Sequence, residues 1–210
     1  MTQRIAARRP GVGNELLQAY RGIASSTIGH LSDSGYLRGI RPLFDDIRLL
    51  GTVVTVKLFT PDGSVIREAL LASEPGDVLV IECVGDPDCA CWGELRTLAG
   101  LVKGLAGVVV AGPVTDVGAL RRHRLPLFCR GASAFTTRSL GLAGEVNLPV
   151  EVGGVRVQPG DLAIGDDDGV HILGAQQAEE LLPALLAKER ADQLRRAELL
   201  HRLAARRLLG

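Results

Sequence analysis

Residues 82–130 read ECVGDPDCACWGELRTLAGLVKGLAGVVVAGPVTDVGALRRHRLPLFCR. With the apolar run 78–81 ahead of it, the stretch scans as strand, polar loop, helix, strand, polar loop, helix, strand. Val78–Ile81, Val108–Val110 and Leu127–Cys129 are short continuous apolar runs, the pattern of strands buried on both faces. Segments 94–103 and 117–124 fit the crossover helices between them. Two loops, 85–93 and 112–116, therefore leave the ends of neighbouring strands. In open α/β sheets ligands settle in the crevice outside such ends. This crevice is the expected active site.

Working outward, the chain has 210 residues, enough for one domain. Apolar residues make up 46% of it but aromatics only 3%, so the core must be built from Val, Leu, Ile and Ala. Lys plus Arg equals Asp plus Glu at 24 each, which gives no general reason to expect nucleic acid or a membrane surface as partner. No apolar run is long enough for a membrane span, and the charged opening MTQRIAARRPG lacks the apolar segment of a secretory signal. The expected compartment is the cytoplasm. Cys83, Cys89 and Cys91 cluster without the spacing of a zinc site, so they read as small buried thiols, together with Cys129.

Residues 1–12 read as a loose arm. Asn14 is a candidate cap for a first helix, and Ser25–Thr27 for a second one running to Tyr36. Residues 51–60 (GTVVTVKLFT) carry the strongest strand signal. Pro61-Asp62-Gly63 reads as a turn, with Ser64 capping a helix to Ser73. Residues 146–157 (VNLPVEVGGVRV) form two alternating runs around Gly153-Gly154, a hairpin signal. Short strands follow at 162–164 and 170–173, around an Asp166–Asp168 turn. A β-α-β-α-β middle followed by an all-β quarter points to a helical layer packed on β-layers, not to a simple doubly wound sheet. Residues 175–208 read as helix, with Pro183 either kinking it or opening a new one. Its far end is Arg-rich: either a solvated face or an arm that packs on a neighbouring subunit or an acidic partner.

The blocks PGDVLVIE, GDPDCACWGEL, GLAGVVVAGPVTDV, PLFCRG, VNLPVEVGGVRVQPGD and DDDGV occur in that order. Together they resemble the RraA-like family, which includes the regulator of ribonuclease activity and divalent-metal aldolases acting on 4-hydroxy-4-methyl-2-oxoglutarate and 4-carboxy-4-hydroxy-2-oxoadipate. The resemblance covers about residues 25–173. It implies an α/β fold, a three-layer α/β/β sandwich of the swivelling-domain type with a C-terminal helix. An N-terminal arm and helix (1–24) would precede the RraA-like domain (25–174), and a helical extension (175–210) would follow it. It further implies a homotrimer or hexamer with active sites between subunits, and a small oxo-acid substrate.

In the aldolases an acidic residue, twenty intervening residues and then Arg-Asp form the working motif. The Arg grips the substrate carboxylate, the Asp helps hold Mg²⁺ or Mn²⁺, and loop amides add donors. Laid on this chain, the acid is Glu94, the Asp is Asp116, and Thr115 stands where the Arg would be. A Thr hydroxyl supplies one donor and no charge, against the planar, permanently charged fork of Arg. Glu94, Thr115 and Asp116 are thus the expected catalytic positions, with Glu94 and Asp116 toward the metal. Trp92, Gly93, Glu94, Leu95 and Arg130 are the expected substrate-binding positions. Arg130 and Arg138 are candidates for the missing charge. The plainer reading of Asp116 is a helix N-cap, and of Trp92 a packing residue. His30, His123 and His171 carry no assigned role. Two functions follow from the resemblance: a metal-dependent carbon–carbon lyase of altered substrate recognition, or a non-catalytic oligomeric regulator.

Overall fold

The computed structural model describes residues 2–208. In chain order its elements are β1 (Gln3–Ile5), α1 (Asn14–Tyr20), α2 (Ser25–Gly29), β2 (Arg41–Pro42), β3 (Leu49–Phe59), α3 (Val65–Ala72), β4 (Asp77–Val84) and α4 (Glu94–Lys103). There follow β5 (Gly107–Val110), β6 (Pro113–Val114), α5 (Val117–His123), β7 (Leu127–Cys129), β8 (Gly131–Ala132) and β9 (Gly144–Val146). The last quarter holds β10 (Val150–Val152), β11 (Val155–Val157), β12 (Leu162–Asp166), β13 (Gly169–Leu173) and α6 (Ala175–Leu208).

Strands β3, β4, β5 and β7 pair in parallel, joined by α3, α4 and α5. Side chains alternate across a strand, and both faces here are apolar. On β4, Leu79 and Ile81 meet the helices while Val78 and Val80 meet the opposite layer. On β5 the same split puts Val108 and Val110 on one side and Val109 on the other. All these side chains are fully buried. Full burial of a Val or Leu side chain stabilises by about 1.5–3 kcal/mol, so these valine runs carry much of the core despite the shortage of aromatics. The opposite layer is the hairpin β10–β11, whose Val150, Val152 and Val157 pack beside Ala163, Val170 and Ile172 of the antiparallel pair β12–β13. The arrangement is a mixed α/β fold in three layers, with a long C-terminal helix.

Several local expectations are corrected. The expected loose arm is tied down from residue 3: β1 pairs in parallel with β9, and Arg8 grips Asp77 with two hydrogen bonds of 2.9 and 2.7 Å. Helix α2 stops at Gly29 instead of reaching Tyr36; Ser32 and Ser34 bond each other and Gly35 takes a φ of +84°. Neither Asn14 nor Ser64 caps its helix through its side chain. The expected hairpin loses its first residues, because Val146 ends β9, which pairs with β3. Pro183 lies inside α6. The first half of α6 packs Ala178 and Leu185 against Tyr20, Ile23 and Ile28. Its far half exposes Leu194, Leu199, Leu200 and Leu203. Among the described residues, no helix is long and apolar enough to cross a membrane.

Candidate active site

Loops 60–64, 85–93 and 111–116 leave the carboxyl ends of β3, β4 and β5. The chain after β7 returns across these ends. Its β8 pairs with β6, and Ala90 exchanges main-chain bonds with Phe135 and Thr137. The resulting cleft of about 460 Å³ is lined by residues 90–96, Thr115, Asp116, Ala134, Thr136 and Thr137. Glu94, Thr115 and Asp116, distant in sequence from one another, are thereby brought together with Gly93 and Leu95.

Contact between the two loops fixes the centre of the site. The Thr115 N–H donates to the Trp92 carbonyl at 2.8 Å. Asp116 precedes α5 with a φ of +53°, a left-handed conformation that Asp and Asn tolerate better than other non-glycine residues. Its carboxylate does not cap α5. Instead Oδ2 accepts the main-chain N–H of Glu94, the first residue of α4, at 3.0 Å. An anion at a helix N-terminus is favoured both by the unpaired amides and by the helix dipole. Gly93 makes the approach possible: a Cβ there would lie 2.6 Å from Asp116 Oδ2 and 2.8 Å from Thr115 Cγ2. Asp116 thus occupies the N-cap position of α5, but its carboxylate serves the start of α4 instead.

Glu94 turns its side chain to His123, whose Nε2 stands 2.9 Å from Oε1. His123 ends α5, so the two helices that follow the two loops are bridged through the cleft residue Glu94. Sequence reading assigned His123 nothing; the signal lay in the register, which puts residue 123 at the C-terminal end of α5 beside the start of α4.

Other side chains are engaged elsewhere or stand open to solvent. Trp92 is 1% exposed, and its indole N–H donates to Thr97 Oγ1 at 2.8 Å, so the ring is a core group and no stacking platform. Leu95 lines the cleft but is 81% exposed. Arg130 is exposed and is absent from the cleft lining; its charge acts on Cys83. Arg138 is likewise outside the lining, and its main chain ties 61–63 in place. Asp86 and Asp88 form a turn of their own loop. Glu189 Oε1 accepts the Ala24 N–H and the Thr27 hydroxyl at 3.0 and 2.6 Å, and so holds the start of α2.

Two further residues were missed. Arg96, on the first turn of α4, lines the cleft beside Glu94. Asp62, read as part of a turn, is 1% exposed and accepts the amides of Ser64, Leu140, Leu142 and Ala143. Burial opposes its ionisation, but these amides outweigh it and hold the carboxyl well below the usual carboxylate range. Asp62 thus anchors the loop over which Arg96 lies.

Among the described residues no three His, Cys, Asp or Glu side chains gather as a metal cage. The Cys83 and Cys91 sulfurs approach to 3.6 Å as free thiols. A hard divalent ion needs no cage, since Mg²⁺ keeps several waters and takes one or two carboxylates. Asp116 Oδ1 and Glu94 Oε2 accept no hydrogen bond from any described residue. The donor set fits a hydrated ion of that kind.

The RraA-like family (Aldolase/RraA) matches residues 25–172. A Halalkalibacterium halodurans protein, provisionally named 4-hydroxy-4-methyl-2-oxoglutarate aldolase, is 34% identical over 156 residues, 74% of each chain. The structure of Streptomyces coelicolor RraAS2, described as an unusual member of the RNase ES inhibitor RraA protein family, superposes with a TM-score of 0.79. It is 28% identical and covers 90% of this chain and 100% of that one. The RNA-processing inhibitor RraA from Thermus thermophilis superposes at 0.64, with 28% identity over 71% of this chain and 92% of its own. Sequence and fold agree: the chain belongs to the RraA-like family.

Proposed function

We propose that this protein is a divalent-metal-dependent carbon–carbon lyase acting on a small oxo acid. The observation that carries the reading is the Asp116 carboxylate locked on the Glu94 amide at the start of α4, with both residues lining an open cleft. Asp116 would hold Mg²⁺ or Mn²⁺ there directly, with Glu94 reaching the ion only through a water, supplying Lewis acidity toward a 2-oxo group. The amides of Leu95 and Arg96, in the first turn of α4, are placed to bind developing negative charge on the substrate. Glu94, steadied at Oε1 by His123, can take the proton of a substrate hydroxyl on Oε2. The electron pair of the broken carbon–carbon bond then passes to the pyruvyl fragment, whose methylene carbon is protonated to give pyruvate.

The proposal includes a homotrimer or hexamer. Leu95, Leu98, Leu101 and Val102 of α4 are exposed, as are the leucines of the far half of α6. Apolar faces of this kind support assembly.

A second reading keeps the scaffold as a non-catalytic regulator. Thr115 favours it, since the expected carboxylate clamp is missing at that position. Assays of pyruvate release from 4-hydroxy-4-methyl-2-oxoglutarate and of oxaloacetate decarboxylation, with Mg²⁺, Mn²⁺ or chelator, separate the two. Metal-dependent turnover supports the lyase; its absence with both ions, together with no metal-induced rise in Tm, supports the regulator. Light scattering that returns a monomer would remove the assembly proposal.

A further inference from the structure

We infer that Arg96 is the specificity-determining carboxylate clamp of this site, supplying from α4 the cation that Thr115 lacks. The inference rests on the oxo-acid reading above and names the residue that recognises the substrate class.

Arg96 is the one arginine that lines the cleft with Glu94, Thr115 and Asp116. Its guanidinium is held by neutral acceptors only: Nη2 donates to the Gly63 carbonyl at 3.0 Å and Nη1 reaches Thr137 Oγ1 at 3.4 Å. A guanidinium has five N–H donors, so most remain free. The two contacts hold its plane between Gly63 and the cleft residue Thr137, which is how a fork is made ready for a carboxylate. Gly63 is required for this pose, because a Cβ there would stand 2.5 Å from Nη2.

No carboxylate pairs with Arg96 among the described residues. The acid whose field reaches it is Asp62, and that carboxylate is already filled by main-chain amides. Burial lowers the Arg96 pKa, with Cys91 and Asp62 opposing. A partly desolvated cation with no ion-pair partner is an attractive seat for an anion. The other candidates lack this placement, since Arg130 and Arg138 lie outside the lining. A purely structural Arg96 would tie α4 to loops 60–64 and 130–138 and do nothing else.

The test measures oxalate, a planar dicarboxylate, by titration calorimetry in the presence of Mg²⁺. Arg96→Met should weaken oxalate by about tenfold or more, the worth of a charge-assisted contact, with the Mg²⁺ affinity unchanged. Guanidinium ion added to Arg96→Ala should restore part of the lost binding, which a tie between loops would not do. If wild type binds oxalate and Arg96→Met binds it equally well, the inference is overturned and the lyase reading stands. If wild type binds no oxalate with either Mg²⁺ or Mn²⁺, both fall. Should the Met and Ala variants not fold, Thr137→Val frees one side of the fork. Weaker oxalate binding there supports the clamp, and unchanged binding overturns it.

Discussion

The main-chain N–H of Glu94 donates to Asp116 Oδ2 across 3.0 Å, joining the start of α4 to the loop that ends before α5. Twenty-one residues separate the two, yet the bond places one carboxylate where two βα loops meet. It leaves Asp116 Oδ1 as a free ligand atom. Asp116→Asn should keep the fold, because Asn tolerates the left-handed backbone and its amide oxygen can still accept the Glu94 N–H. It should lose the metal ligand. A ligand that binds only the native state raises stability, so thermal scans with Mg²⁺ or Mn²⁺ should show a rise in Tm for wild type and none for the variant. An equal rise in both would remove Asp116 from the metal site.

Gly93→Ala tests the close approach directly. The added methyl would meet Asp116 Oδ2 and Thr115 Cγ2 inside contact distance. Overpacking of this kind costs roughly 1–3 kcal/mol, relieved by parting the two loops. Metal stabilisation should vanish while the chain still folds cooperatively by circular dichroism. Retained metal binding would mean that the loops need not touch.

His123→Ala removes the partner of Glu94 Oε1. Both side chains are partly exposed, 28% and 41%, so the change in stability should stay under about 1 kcal/mol. Turnover should fall about 10–100-fold, the range seen when a group that orients a functional residue is removed. His123→Gln, which can donate to the same oxygen, should recover part of the loss. Full activity in His123→Ala would leave the pair a structural bridge only.

Asp62 predicts a pH effect. Its folded pKa lies below the unfolded value, so its contribution is fully present above the unfolded carboxylate range near pH 4 and is lost as pH falls through the folded value. Asp62→Asn turns an NH₂ group toward amide donors and should cost about 1.5–3 kcal/mol or more at pH 7, since bonds to a charged acceptor contribute that much each. The gap between variant and wild type should narrow from pH 5 downward in denaturant titrations. A gap constant with pH would show that the Asp62 charge contributes nothing.

The parallel core was legible because its signals are local. The apolar runs of β4, β5 and β7 are buried on both faces, and Glu94–Lys103 matches α4 residue for residue. The pairing of Glu94 with Asp116 came from family spacing, and the bond between them needed coordinates. What stayed hidden depends on distant partners. Asp62 looks like a turn residue until residues 140–143 arrive to donate to it. Arg96 sits at a helical position where a charge normally faces water, and only the loop after β7 turns that face into a cleft wall. The arm at 1–12 is polar and short, so nothing local announces that β9 will pair with it.

Thr115→Arg tests the two clamp positions against each other. The Thr115 methyl lies against the space a Cβ on residue 93 would fill, and Thr115 and Arg96 line the same cleft. A guanidinium there would add charge-assisted bonds of roughly 1.5–3 kcal/mol to a substrate carboxylate, about one to two decades in rate or affinity. Oxaloacetate decarboxylation by Thr115→Arg should rise accordingly. The two cations would then serve one anion, and groups sharing a partner do not act additively. Arg96→Met should cost less in the Thr115→Arg background than in wild type, measured as kcat/KM across the four proteins of the cycle. Strict additivity would mean that the two positions bind different parts of the substrate, and position 96 would then add to the clamp at 115 without substituting for it.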